Sequence, residues 1–171
     1  MAALTANQVK SFWAVKDLGP TILCYEKGSA SYKAGDLVIV DSNGLIDIAA
    51  ASGSNIDNSV TIVGIALADA TGVANTPAKV GTIGAQTRLL MPVLHSTPAS
   101  AVTAITNINE TFVIKNDATY GWGLLLSTTT NACAKMMGIY PEFPVGTQYG
   151  IVEVAIPASI DSDVTYSRLQ G

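Results

Sequence analysis

From Thr21 onward, apolar residues form short runs of strand formers, several alternating with polar ones, and small polar segments separate them. Thr21-Ile22-Leu23-Cys24-Tyr25, Asp36 to Val40, Leu45 to Ala49, Thr61 to Ile65 and Arg88 to Leu94 carry the pattern in the first half. Thr111 to Lys115, Tyr120 to Leu126, Lys135 to Ile139 and Gly150 to Ile156 carry it in the second. A period near two with β-branched and aromatic residues predicts strands. Asn43-Gly44 lies between two such runs and predicts a tight primed hairpin turn, since both residues tolerate positive φ. Gly35 marks a second place where the backbone needs glycine's freedom. Ala50 to Ser59 and Asp69 to Pro77 are small and polar and read as surface loops. Strands at short spacing with few helical breaks predict an all-β fold, a compact small β-barrel or sandwich, and not a βαβ arrangement.

Between Ala34 and Pro157 the pattern is stated twice, as two pseudo-repeated β units. Each copy reads strand, turn, strand, loop, an apolar segment ending in Gly-Ile, and a last strand, which is Arg88 to Leu94 in the first copy and Gly150 to Ile156 in the second. Val38 and Val113 are 75 positions apart, and Gly64 and Gly138 are 74 apart. A β unit used twice with no reactive residue at matching places reads as a scaffold. Proline cannot donate to a ladder, so Pro92 and Pro157 place their strands at edges or bulges. Thr97 to Asn109 joins the copies and fits either a helical turn or a strand.

Three segments follow: an N-terminal arm or short helix over residues 1–20, a single β domain over 21–157, and a C-terminal tail over 158–171. Val9, Phe12, Trp13 and Lys16 recur at helical spacing, with Thr5 or Asn7 available as the N-cap. An extended arm ending at Gly19-Pro20 fits equally. Val9, Phe12 and Trp13 are the candidate partner contacts, and a segment folded onto its own barrel is the competing reading. In the tail, Ile160 and Val164 suit a crossing to a neighbour, while Asp161-Ser162-Asp163 suits water.

Composition sharpens this picture. Only 13% of the 171 residues are charged, about half the usual roughly 25%, so much of the surface is Ser, Thr, Ala, Gly and Asn. Such a surface repels neighbours weakly and suits packing against copies or a partner. The net charge is −4 and the nine basic residues are scattered, which argues against nucleic acid as a partner. No apolar run reaches the roughly 18 residues of a membrane span, and the N-terminus lacks the order of a secretory signal, so a product made in the cytoplasm without membrane association is expected. Cys24 and Cys133 lack metal or redox spacing and are expected as free thiols.

A search for chemistry assigns little. His95, the one histidine, is followed by Ser96, but neighbours on a strand point to opposite faces, and a strand-end role for His95 is the simpler reading. Asp41 to Asp47 has the acids of a calcium loop without the distal Glu. Asp36, Asp41, Asp47, Asp69, Glu110 and Glu153 offer no selected pair for glycoside cleavage. Gly81-Thr82-Ile83-Gly84 precedes no phosphate-binding helix. No catalytic residue, metal ligand or cofactor is therefore assigned, and a non-enzymatic protein is expected.

Five stretches carry a likeness. They are Tyr25-Glu26-Lys27-Gly28, Tyr32-Lys33-Ala34-Gly35-Asp36-Leu37-Val38, Gly44-Leu45-Ile46, Gly64-Ile65-Ala66-Leu67-Ala68-Asp69-Ala70, and Val93-Leu94-His95-Ser96-Thr97-Pro98-Ala99. Together they resemble the small head decoration (cement) proteins of tailed bacteriophages, over most of the chain after about residue 20. The resemblance implies a virion structural protein on the outer surface of the capsid. It would be bound to the major capsid protein, often as a homotrimer, and would stabilise the shell against DNA pressure. It transfers no particular contact residue. The competing reading is a phage or bacterial surface module that binds a host glycan through Tyr120, Trp122 and Tyr140.

Overall fold

The computed structural model describes residues 3–56 and 61–156. The expectations for Pro157 and for the tail 158–171 lie outside them. The fold is all-β, with one short helix.

Five strands close the first barrel: β2 (Thr21–Glu26), β3 (Leu37–Val40), β4 (Leu45–Ile48), β6 (Ile62–Ala66) and β7 (Pro77–Thr82), in ring order β2-β4-β3-β6-β7. The second ring holds β8 (Arg88–Leu94), β9 (Thr111–Asp117), β10 (Gly121–Leu125), β11 (Ala134–Ile139) and β12 (Ile151–Ala155). Its order is β8-β10-β9-β11-β12, and the β12–β8 pairing closes it. In each ring one pair is parallel, β2 with β4 and β8 with β10, and the others are antiparallel.

The two barrels agree residue by residue. Ile22↔Val80 in the first matches Leu89↔Val154 in the second, and Ala66↔Val80 matches Met136↔Val154. Likewise Leu37↔Ile65 matches Thr111↔Lys135, Val40↔Ile46 matches Ile114↔Leu124, and Glu26↔Ile46 matches Val93↔Leu124. Each strand carries one constant offset through these pairs, up to the bulge between Met136 and Gly138 of β11, so the barrels share order, direction and register.

This corrects the repeat as read from sequence. The last strand of the first unit is β7, whereas Arg88–Leu94 opens the second unit as the counterpart of β2. Gly64 matches Ala134, not Gly138: Gly64 pairs with Val38, and Ala134 pairs with Phe112, the counterpart of Val38. β7 escaped notice because Pro77-Ala78-Lys79-Val80-Gly81-Thr82 has one large apolar residue and two strand-disfavoured ones.

Register also explains the cores. The first barrel encloses Ile22, Cys24, Val38, Ile46, Ile48, Ala66, Ala78 and Val80. Their counterparts Leu89, Met91, Phe112, Leu124, Leu126, Met136, Val152 and Val154 all lie in the second core. Cys24, Val38, Ala66 and Ala78 are smaller than their counterparts, and Tyr32, 1% exposed, helps fill that space. Burial first, then the nearby Glu26 charge, pushes the Tyr32 hydroxyl up to about 12. The outer face of the first barrel, at Leu37 and Ile65, joins the core of the second, so one apolar cluster spans both.

Two local details differ from expectation, and a third takes the helical option left open at Thr97 to Asn109. At Asp41-Ser42-Asn43-Gly44 only Gly44 takes positive φ (79°), and its N–H donates to the Asp41 carbonyl at 3.0 Å. The loop is thus a type I turn followed by a left-handed glycine, and the right-handed Asn43 rules out the primed turn. Pro92 lies inside a barrel strand. The Val93 N–H donates to the carbonyl of Gly150, the residue before β12, so by alternation the missing donor of Pro92 faces the other side. There the pairing of β1 (Ala14–Lys16) ends at Leu90 and that of β10 begins at Val93. Thr97 to Asn109 forms two 3-10 turns, Pro98–Ser100 and Ile105–Asn107, with an isolated bridge from Val102 to Gln148 between them.

Candidate functional site

The N-terminal segment is both helical and extended. Thr5 caps α1 (Ala6–Phe12) in a reciprocal box with Gln8. The helix stops at Phe12, so Lys16 does not share its face. Ala14–Lys16 instead forms β1, paired antiparallel with β8, because tertiary pairing outweighs a weak helical preference.

All three candidate contacts turn toward the protein itself. Val9 is fully buried in a cluster with Leu94, Ala101, Leu125 and Tyr149. Phe12 sets its ring edge-on to Phe143 at 4.9 Å and near Tyr140 at 6.4 Å. Trp13 donates from Nε1 to the Gly35 carbonyl at 3.2 Å, tying the arm to the first barrel. Lys16 then pairs with Glu153 at 2.8 Å, a bond that raises its pKa. The segment folds onto its own barrels, which puts Val9 out of a partner's reach and leaves Phe12 and Trp13 half-buried.

Between the barrels and the arm lies an open groove of about 200 Å³, lined among others by Lys10, Trp13, Asp36, Pro92, Tyr120 and Trp122. Its acid is already engaged. Asp36 accepts Trp122 Nε1–H on Oδ1 at 2.9 Å and the Lys33 N–H on Oδ2 at 2.7 Å. Trp122 is 6% exposed and belongs to the second core. Tyr120 stacks on Tyr149 at 4.2 Å, and the hydrogen bond between them holds its hydroxyl up at about 12. Tyr140 is half-buried against Phe12 and Phe143. These aromatics form separate packing contacts, not one open platform.

The acids singled out from sequence are mostly committed to the fold. The Leu45 and Asn43 N–H groups lower the pKa of Asp41, which closes its own hairpin. Asp47 pairs with Lys27 at 2.9 Å. The Ala34 N–H first, then Lys33, lowers Asp69. His95 follows the last residue of β8, and its Nδ1 accepts the Thr97 N–H at 2.9 Å. Cys24 is a free thiol whose pKa burial raises, and the Cys133 thiol donates to the Ile56 carbonyl at 3.1 Å. Among the described residues no three metal-ligating side chains cluster.

Two features went unread in the sequence. Glu26 ends β2 with 2% exposure and accepts from the Thr71 N–H, the Thr71 hydroxyl and the Gly72 N–H. Its signal was the inward row Ile22, Cys24, Glu26. The outward row of the same strand leaves Leu23 61% and Tyr25 48% exposed, and Leu67, Val73, Ile105 and Val145 are exposed elsewhere. No family model matches the chain, and no curated protein matches it in sequence.

Proposed function

We propose that this chain is a non-enzymatic structural protein that binds the outer surface of an assembled phage capsid, against the major capsid protein, and stabilises the shell. The reading rests on the resemblance after residue 20. The observation that carries it furthest is where side-chain chemistry is used: most of the singled-out polar groups serve the fold, while several outward positions, Leu23, Tyr25, Val73 and Ile105 among them, leave apolar side chains exposed. Two filled barrels with one continuous apolar cluster make a rigid module that orders little on docking. Identical weak contacts repeated over a symmetric shell shift assembly by mass action, because only the assembled state is bound.

The test mixes purified protein with expanded phage heads lacking it, sediments the heads and counts the copies carried. Saturation at a number set by shell symmetry is expected. Folded protein that stays in the supernatant while the heads remain intact rejects the proposal.

A further inference from the structure

The register equivalence of the barrels exposes one unmatched edge. On β2 the even-numbered residues bond to β7, since the Glu26 N–H donates to Thr76 and the Pro20 carbonyl accepts from Thr82. Odd-numbered residues therefore face β4, as the Lys27 N–H does in donating to Ile46. β4 pairs only with Tyr25 and Glu26. Among the described residues no strand meets the N–H and C=O groups of Thr21 and Leu23.

The second barrel shows what belongs there. The counterparts of Thr21, Ile22 and Leu23 are Arg88, Leu89 and Leu90. These three are covered by β1, which pairs as Lys16↔Arg88, Val15↔Leu89 and Ala14↔Leu90. An extended antiparallel segment centred opposite the middle residue thus fits this seam in one barrel and is missing from the other.

We propose that the β2 edge joins a second copy of this chain, strand to strand, about a two-fold axis beside Ile22. The free groups are self-complementary. Thr21 faces Leu23 of the other copy and Leu23 faces Thr21, so four backbone hydrogen bonds form from two N–H and two C=O groups on each side, the register β1 adopts on β8. The edge has none of the charges or prolines that usually block such pairing. Thr21 to Tyr25 is uncharged, and Lys79 lies opposite Leu23 on β7, away from the seam. Leu23 and Tyr25 add exposed apolar surface on the same strand. The proposal is independent of capsid binding, and it makes a dimer where the resemblance implies a trimer.

The test is mass in solution, by sedimentation or light scattering from micromolar to near-millimolar concentration, read with amide exchange at Thr21 and Leu23. Twice the 17.7 kDa chain mass is expected, with both amides protected in the dimer and losing protection on dilution. Leu23→Lys, at an exposed position, returns the mass to one chain, while Ile105→Lys on the second barrel leaves the dimer intact. A one-chain or three-chain mass throughout overturns the proposal. So does a dimer that survives Leu23→Lys, one abolished equally by Ile105→Lys, or amide protection that does not change with concentration.

Discussion

Replacing Glu26 with alanine removes the acceptor for three donors at one blow. The carboxylate takes the Thr71 N–H at 2.9 Å, the Thr71 hydroxyl at 2.8 Å and the Gly72 N–H at 3.1 Å, at 2% exposure. Each stranded donor costs about 1–3 kcal/mol where water cannot reach it, and Thr71 itself is an exposed residue. Water entering beside the 69–76 loop recovers part of this, leaving a loss of about 3–6 kcal/mol. For a domain of this size each kcal/mol shifts Tm by about 2–4 °C, so Glu26→Ala lowers Tm by roughly 6–24 °C. Urea unfolding followed by circular dichroism gives the loss directly, as a lower midpoint at unchanged slope. Thr71→Val, which deletes only the hydroxyl donor, is the internal scale and loses about 1 kcal/mol. A Glu26→Ala loss below about 1 kcal/mol refutes the reasoning, because it means that the donors find other partners.

Further consequences are open to the same assay. Gly64→Ala drives a Cβ into the Gly81 carbonyl and to 2.6 Å from Val80 Cγ1, whereas Gly138 has open space; the first should destabilise by several-fold more than the second, and equal losses would contradict the register. Trp122→Phe keeps an aromatic ring but loses the pyrrole part of the indole as well as the bond to Asp36; the bond is worth about 1.5–3 kcal/mol, and a double-mutant cycle with Asp36→Asn separates it from the packing loss. Phe12→Ala empties the contact with Phe143 and Tyr140 and should cost about 2–4 kcal/mol; a neutral result would mean that the arm is not docked. Asp41, Asp69 and Asp117 have lowered pKa values in the folded chain. At Asp117 burial opposes the shift, and the Thr119 and Tyr120 N–H groups with Lys115 outweigh it. Their stabilisation is complete above the usual carboxylate range near about 4 and is lost as pH falls through the lowered values. The urea midpoint should therefore drop below about pH 4, and a midpoint that rises on acidification would reverse the sign.

Strand chemistry made much of the fold legible. β2, β3, β4, β6, β8 and β9 to β12 all fall on the apolar runs read from sequence, and β3, β6 and β12 are the richest in the β-branched residues that a half-buried pleated surface selects. β7 was hidden because its role is close approach: Gly81 lies under Leu18 and Leu67, and a strand read by bulk alone does not show there. The duplication was visible in β3 and β9, but chain order misled about the closing strand, since ring neighbours need not be sequence neighbours. At the candidate site, the spacing of Val9, Phe12 and Trp13 announced one apolar face without saying what it covers. An arm that docks on its own barrels and one that docks elsewhere require the same residues. Glu26 was obscured for a similar reason, since a charged residue at a strand end reads as solvent-facing until three donors are seen converging on it.

The claim of reinforcement is tested most directly by heating DNA-filled heads that lack this protein and following DNA release with an intercalating dye, with and without saturating chain. The account predicts that release shifts to higher temperature as sites fill and stops shifting at saturation. A release temperature unmoved by a saturating, co-sedimenting amount of protein would contradict it.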